Sequence, residues 1–355
     1  MRLSNLVTLS LMGVASAAPA HHQHIAKRDA VTTTVKNQVT VTEGANGLLQ
    51  ENAVVATNTA AAGATVAVAA AAGTTSTLEP STAAASTSNS AAAPSSSVAS
   101  GSAKGITYSP YAADGTCKSA SDVASDLAKL TSYGIIRLYG VDCSQVENVM
   151  KAKTSSQKLF LGIYYVDQIA AGVSTIKSAI ESYGSWDDVY TVSVGNELVN
   201  SGSATTAQVG EYISTAKTAL TAAGYTGPVV SVDTFIAVIN NPDLCNYSDY
   251  MGVNAHAYFD ENTTAENAGP WVLEQIQRVW TACGGKKDVL ITESGWPSQG
   301  NTYGVAVPSK ANQEAAISSI EDTCGSATIL FTAFNDYWKA DGAYGVEKYF
   351  GILSN

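Results

Sequence analysis

The sequence predicts an α/β chain whose C-terminal part is a (β/α)8 barrel, on three observations. Residues 104 to 355 number 252 by subtraction, close to the roughly 250 residues typical of such barrels. Eight short β-rich runs recur along that stretch. Between most of them lie segments with apolar residues three and four apart and a glycine just past the end, as amphipathic helices require. Strand-helix alternation of this kind implies a parallel sheet.

The segments before the barrel carry processing signals rather than a core. Residues 1–18, MRLSNLVTLSLMGVASAA, place one Arg before an apolar run and a small-residue exit, the build of a secretory signal peptide too short to span a bilayer. Residues 19–28 end at Lys27-Arg28, a dibasic site at which a propeptide would be removed, leaving Asp29 as the mature start. The three histidines of this segment have no thiolate or carboxylate nearby and are expected to be discarded with it. Residues 29–103 form a low-complexity region: 29–55 remain unassigned, and from about 56 an Ala/Ser/Thr run with scattered Pro lacks the large apolar residues that offset ordering entropy. It reads as an extended, O-glycosylated linker.

The candidate strands are GITYSPY (105–111), IIRLYG (135–140), KLFLGIYY (158–165), VYTVSVGNE (189–197), PVVSVDT (228–234), YMGVNAHAYF (250–259), DVLITESGWP (288–297) and TILFTAFNDYW (328–338). Candidate helices cover 119–134, 205–224, 268–285 and 308–325. The segment after the fifth strand, FIAVINNPDLCNYSD, holds at most a short helix, and the chain ends soon after the eighth strand. An open doubly wound sheet is the alternative, but it calls for a glycine-rich phosphate turn after the first strand, and SPYAADGTC is not GxGxxG.

A net charge of −11 disfavours a nucleic-acid partner. The five cysteines, Cys117, Cys143, Cys245, Cys283 and Cys324, all follow the linker, and none forms a CxxC knuckle. Export favours disulfides, and the odd count leaves at least one thiol free or intermolecular. Asn246 and Asn262 open N-glycosylation sequons. No hydrophobic tail follows YFGILSN, so a soluble or wall-held product without a transmembrane segment is expected, working as a monomer.

Strand four ends in Gly-Asn-Glu, where a turn would be expected. Barrel active sites lie at the C-terminal strand ends, so an acid finishing an apolar strand marks chemistry. Glu197 ends the fourth strand and Glu293 ends the seventh, facing each other across the mouth. Retaining glycosidases need such a pair, one acid to protonate the leaving oxygen and one carboxylate to attack the sugar.

VGNE on strand four, NAHAYF on strand six, ITESGWPSQG on strand seven and FTAFNDYWK on strand eight together resemble glycoside hydrolase family 17, the β-1,3-glucanases. The Lys-Arg site, Ser/Thr-rich spacer and C-terminal catalytic domain are similar to fungal cell-wall mannoproteins of that family. The resemblance implies a secreted cell-wall enzyme acting on β-glucan, a glucanase or glucanosyltransferase, with no cofactor and no metal. It makes Glu197 the acid/base and Glu293 the nucleophile, with Asn196 on the sugar 2-hydroxyl unless it is only a turn residue. Arg137, a charge in an apolar strand, is assigned to Glu293, the alternative being an ion pair elsewhere; Glu197 is then the group with the raised pKa.

Tyr108, Tyr139, Tyr258, Trp296 and Trp338 crowd the strand ends, and rings at the mouth stack on sugar faces. Tyr108, Tyr139 and Trp338 are taken as subsites. Tyr258 either stacks or points its hydroxyl at Glu293, and Trp296 is a subsite or packing behind the ESG turn. His256 is expected to orient groups near the acid, and Asp336 and Lys339 to offer rim hydrogen bonds. Strand six departs from the NxYPY form of plant relatives, which leaves the nearest subsites open. A surface mannoprotein or adhesin that binds glucan or host surfaces without turnover is the second reading; the carboxylate pair separates the two.

Overall fold

The structure, a computed structural model, describes residues 102–354. The signal segment 1–18, the segment 19–28 with its histidines and Lys27-Arg28, and nearly all of the region 29–103 lie outside the described residues. Ala103, one residue before the expected start of the barrel, is already buried in the core.

Among the described residues nine strands form one all-parallel sheet: β1 (Gly105–Thr107), β2 (Ile135–Arg137), β3 (Lys158–Ile163), β4 (Val189–Val194), β5 (Val229–Val230), β6 (Val232–Thr234), β7 (Met251–Asn254), β8 (Val289–Ser294) and β9 (Thr328–Leu330). Their order is β5-β4-β3-β2-β1-β9-β8-β7-β6. The two edges are thus consecutive in the chain, separated by Ser231 alone. The fifth expected strand is therefore split, because the Ser231 N–H leaves the ladder and donates to Ser248 Oγ at 2.8 Å. The sheet is a barrel closed through that one residue.

The helices are α1 (Ala120–Leu127), α2 (Gln145–Ala152), α3 (Ile169–Tyr183), α4 (Thr206–Ala222), α5 (Phe235–Asn240), α6 (Ala268–Ala282) and α7 (Lys310–Cys324). Ser119 and Thr205 start α1 and α4 through reciprocal capping boxes with Asp122 and Gln208. The fifth strand is followed by the six-residue α5 and a 3-10 turn, and β9 by no helix. Instead the chain folds back after β9: Thr332 N–H donates to Phe350 O, and Ile352 N–H to Thr332 O.

Two apolar clusters fix which way each strand faces. The larger lies between strands and helices and includes Ile106, Ile136, Leu161, Val192, Val194 and Ile291. The smaller, Ile135, Phe160, Val230, Val232, Leu290 and Ile329, fills the barrel interior. That plug closes the interior beneath the polar groups at the C-terminal strand ends. Disulfides join Cys117 to Cys143 and Cys245 to Cys283, and the odd cysteine, Cys324, is a buried free thiol. Among the described residues no helix is long and apolar enough to cross a membrane.

Candidate active site

A cleft opens at the C-terminal strand ends, and both Glu197 and Glu293 line it. Their inward aim has different local causes. After β4 the chain turns through Gly195 at φ +72° and Glu197 at φ +54°. A residue with a Cβ occupies that left-handed region only when its surroundings hold it there; the Glu197 N–H donates to Val232 O at 2.9 Å. In β8, Ile291 packs outward, and a residue two further on would follow it. The ladder instead slips on both sides of this point, pairing Val253 with Ile291 but Asn254 with Glu293. Such an irregularity re-aims the side chain beyond it, here turning Glu293 into the barrel.

Arg137 is buried, 1% exposed, and spans the interior from β2. Its Nη1 donates to Glu293 Oε1 at 3.0 Å and to Thr292 O at 2.7 Å, and its Nη2 to Asn196 Oδ1 at 2.9 Å. Tyr139 donates its hydroxyl to Glu293 Oε1 at 2.8 Å, and His256 Nε2 lies 3.2 Å from Oε2. Burial acts to raise the Glu293 pKa, but the His256 hydrogen bond, the Arg137 charge, the His256 ring and the Tyr139 hydroxyl outweigh it and hold the carboxyl at about 2. Burial and then the Glu293 charge push the Tyr139 hydroxyl well above its ordinary range, so it stays a donor.

Glu197 has different partners. Asn254 Nδ2 donates to its Oε1 at 2.9 Å and Asn200 Nδ2 approaches its Oε2 at 3.4 Å. Asn254 also accepts from Thr292 Oγ1 at 2.8 Å and faces Arg137 Nη1 at 3.4 Å, so Asn254 and Arg137 form a bonded path between the two carboxylates. Asn254 opens the NAHAYF motif and ends an apolar strand, the same signal that marked the glutamates, but sequence reasoning passed over it.

Of the expected site residues, Asn196, Glu197, Tyr139, His256, Glu293, Asp336, Trp338 and Lys339 line the cleft, and Arg137 lies buried against them. Trp338 Nε1 donates to Ser109 Oγ and Asp336 Oδ1, and Asp336 pairs with Lys339 at 2.9 Å. Burial disfavours charge on Lys339, but Asp336 outweighs it and raises the pKa.

Three expectations need correction, and one open alternative closes. Tyr108 is no subsite: it is fully buried on the helix side and donates to Asp126 of α1 at 3.0 Å. For Trp296 the packing alternative holds: it is fully buried, with Nε1 donating to Val307 O at 3.0 Å. Tyr258 neither lines the cleft nor reaches Glu293, because the 3-10 turn Ala257–Phe259 sends its hydroxyl to Asn301 O and its ring onto Trp296. His256, expected beside Glu197, sits against Glu293 instead. Rings that were not foreseen stand in their place: Tyr111, Tyr164, Tyr165, Phe259, Phe331 and Phe350. Tyr111 meets Trp338 edge-on at 4.8 Å and donates to Asp142 at 2.7 Å. Asn246 and Asn262, the sequon residues, are both exposed. Among the described residues no cluster of three or more His, Cys, Asp or Glu could hold a metal ion.

Comparison with known proteins bears on this geometry. A family described as the BtgE/BtgC glycoside hydrolase domain matches residues 105–351. A probable family 17 glucosidase of Saccharomyces cerevisiae, SCW10, is 64% identical over the full length of both chains. The cell surface mannoprotein MP65 of Candida albicans is 69% identical over 73% of this chain and 68% of its own. The crystal structure of a glycoside hydrolase family 17 β-1,3-glucanosyltransferase from Rhizomucor miehei superposes with a TM-score of 0.60 at 23% identity, over 71% of this chain and 93% of that one, which speaks for the fold.

Proposed function

This chain belongs to glycoside hydrolase family 17, in its BtgE/BtgC group, and on that premise we propose that it cleaves and re-forms cell-wall β-1,3-glucan by a retaining double displacement. The observation that carries the proposal is the division of labour in one cleft. Glu293 is held ionised by Arg137, His256 and Tyr139, whereas Glu197 is bonded to the neutral amides of Asn254 and Asn200. Acetal chemistry needs one carboxylate that attacks and one group that carries a proton.

In the first step Glu197 gives its proton to the glycosidic oxygen as that bond to the anomeric carbon breaks. Glu293 attacks the same carbon and forms a glycosyl ester. In the second step Glu197 takes the proton of an incoming hydroxyl, whose oxygen displaces Glu293 and regenerates the carboxylate. Water as acceptor gives hydrolysis; a sugar hydroxyl gives transfer. Asn196, fixed by Arg137, is placed for the sugar 2-hydroxyl, a bond that strengthens as positive charge develops on the ring. Trp338 and the tyrosines of the opposite wall offer faces for neighbouring glucose units. Secretion through residues 1–18, processing after Arg28 and an O-glycosylated spacer would deliver the barrel to the wall.

Azide separates the two roles. In Glu197→Ala it enters the space left by the acid and should restore turnover as a β-glycosyl azide. In Glu293→Ala the retaining route is gone, and only the α-anomer can form. Wild-type rates in Glu197→Gln or Glu293→Gln would remove the assignment, and products no longer than the substrate at millimolar laminari-oligosaccharide would remove the transfer activity.

A further inference from the structure

Asp233 is a buried carboxylate, 4% exposed, the middle residue of β6, and it does not line the cleft. Its Oδ2 accepts the Val199 N–H at 2.8 Å, and its Oδ1 accepts the N–H groups of Asn200 at 3.1 Å and Thr234 at 2.9 Å. Two of these three donors are consecutive amides of the turn that leaves Glu197. The same turn is held at two further points by the same strand. Val232 O accepts the Glu197 N–H at 2.9 Å, and Thr234 Oγ1 donates to Asn200 Oδ1 at 3.1 Å. Asn200 in turn directs its Nδ2 toward Glu197 Oε2 at 3.4 Å.

Burying a carboxylate among amides is costly, and burial is the largest influence on Asp233, pushing its pKa up to about 7 against its three hydrogen bonds. A fold that keeps such a group has a use for two acceptor oxygens at one point. The use is visible in the backbone: Glu197 stands at φ +54°, a left-handed conformation that strains a residue with a Cβ and persists only where neighbours over-determine it. We propose that Asp233 is the positioning residue for Glu197, clamping the Val199–Asn200 amides so that the acid keeps its aim at the glycosidic oxygen. This rests on the reading of Glu197 as acid/base.

The test compares two leaving groups in the full chain, with Asp233→Ala, Asp233→Asn and Glu197→Ala measured side by side. A laminari-oligosaccharide needs protonation of its leaving oxygen; a 2,4-dinitrophenyl β-laminaribioside does not. Misplacing an acid forfeits much of the 10²–10⁴-fold that general acid catalysis supplies. Asp233→Ala should therefore cleave the oligosaccharide about 10- to 100-fold more slowly, with a pre-steady-state burst on the dinitrophenyl substrate within about threefold of wild type. Asp233→Asn, which retains one acceptor oxygen, should lie between, and it carries the test alone if the alanine variant does not fold. Equal losses on both substrates, or no loss on either, would overturn the proposal and leave Asp233 as scaffold. If Glu197→Ala itself lacks the leaving-group selectivity and azide response, the acid/base reading fails and takes this inference with it. If Glu197→Ala has both and the Asp233 variants lack the leaving-group selectivity, only the inference falls.

Discussion

Replacing Arg137 by methionine keeps a long side chain in place and removes a charge that is 1% exposed. The perturbation reaches Glu293 first. Its pKa stands at about 2 against an ordinary 4.5, and at about 1.4 kcal/mol per unit that difference favours the ionised form by roughly 3 kcal/mol. Arg137 supplies part of this, His256 and Tyr139 the rest, all against the opposing effect of burial. The same guanidinium also bonds Thr292 O and Asn196, which lose their donor in the variant. Breaking a buried pair on one side typically costs about 3–5 kcal/mol, and that is the expected loss of unfolding free energy at pH 7. The pH dependence follows from the direction of the shift. A depressed carboxylate contributes stability that is fully present above its unfolded pKa near 4.5 and is lost as pH falls through about 2. The stability gap between wild type and Arg137→Met should therefore narrow between pH 4.5 and pH 2. In parallel the acid limb of kcat/KM should rise by at least about one pH unit, since Glu293, as the proposed nucleophile, must be ionised to attack. Urea unfolding at pH 7 and pH 3, with kcat/KM on a laminari-oligosaccharide from pH 2.5 to 7, reads both. An unmoved acid limb together with a pH-independent gap would refute the claim that Arg137 holds Glu293 ionised.

Trp338→Ala should raise KM by a factor corresponding to about 1 kcal/mol of lost ring contact with little change in melting temperature, whereas Trp296→Ala should destabilise by about 3–5 kcal/mol as a core truncation; the reverse pattern would restore Trp296 as a subsite. Serine at both Cys117 and Cys143 opens a crosslink spanning 26 positions, a loss of about 3.5 kcal/mol on chain-entropy grounds. It should also raise KM, because the bridged loops carry Tyr111 and Asp142 into the cleft; an unchanged KM would show that wall to be indifferent to the bridge. Exhaustive chelation should leave the rate unchanged, and a loss restored by one divalent ion would reveal a metal site.

The carboxylates were legible because an acid at the end of an apolar strand has few structural uses in a barrel. The alternation of strands and helices was legible for the same kind of reason, since periodicity survives without knowledge of packing. Cysteine pairing was not: Cys117–Cys143 and Cys245–Cys283 follow from which loops the barrel brings together, and spacing carries no such information. Asp233 was not legible either, since its partners are backbone amides and leave no trace in the sequence.

The aromatic assignments divided along a rule that needs only one fixed point. In a strand successive side chains face opposite sides, and Thr107 pairs with Arg137 and Arg137 with Phe160 in neighbouring register. Ile135 and Phe160 belong to the interior plug, so Arg137 points inward, Leu138 outward and Tyr139 inward again, onto Glu293. By the same count Tyr108, one residue past Thr107, faces the helices, and Ser109 returns to the cleft. Parity thus separates Tyr139 from Tyr108, although both stand at strand ends and both looked alike as rings. Glu293 is where parity fails. Counting from the outward Ile291 would send it toward the helices, and only the slip in the β7–β8 and β8–β9 ladders brings it inside. The proposed nucleophile therefore depends on an irregularity, and Arg137, reaching it from β2 across the interior and bonding Thr292 O within that irregularity, ties the geometry of the slip to the charge of the group it exposes.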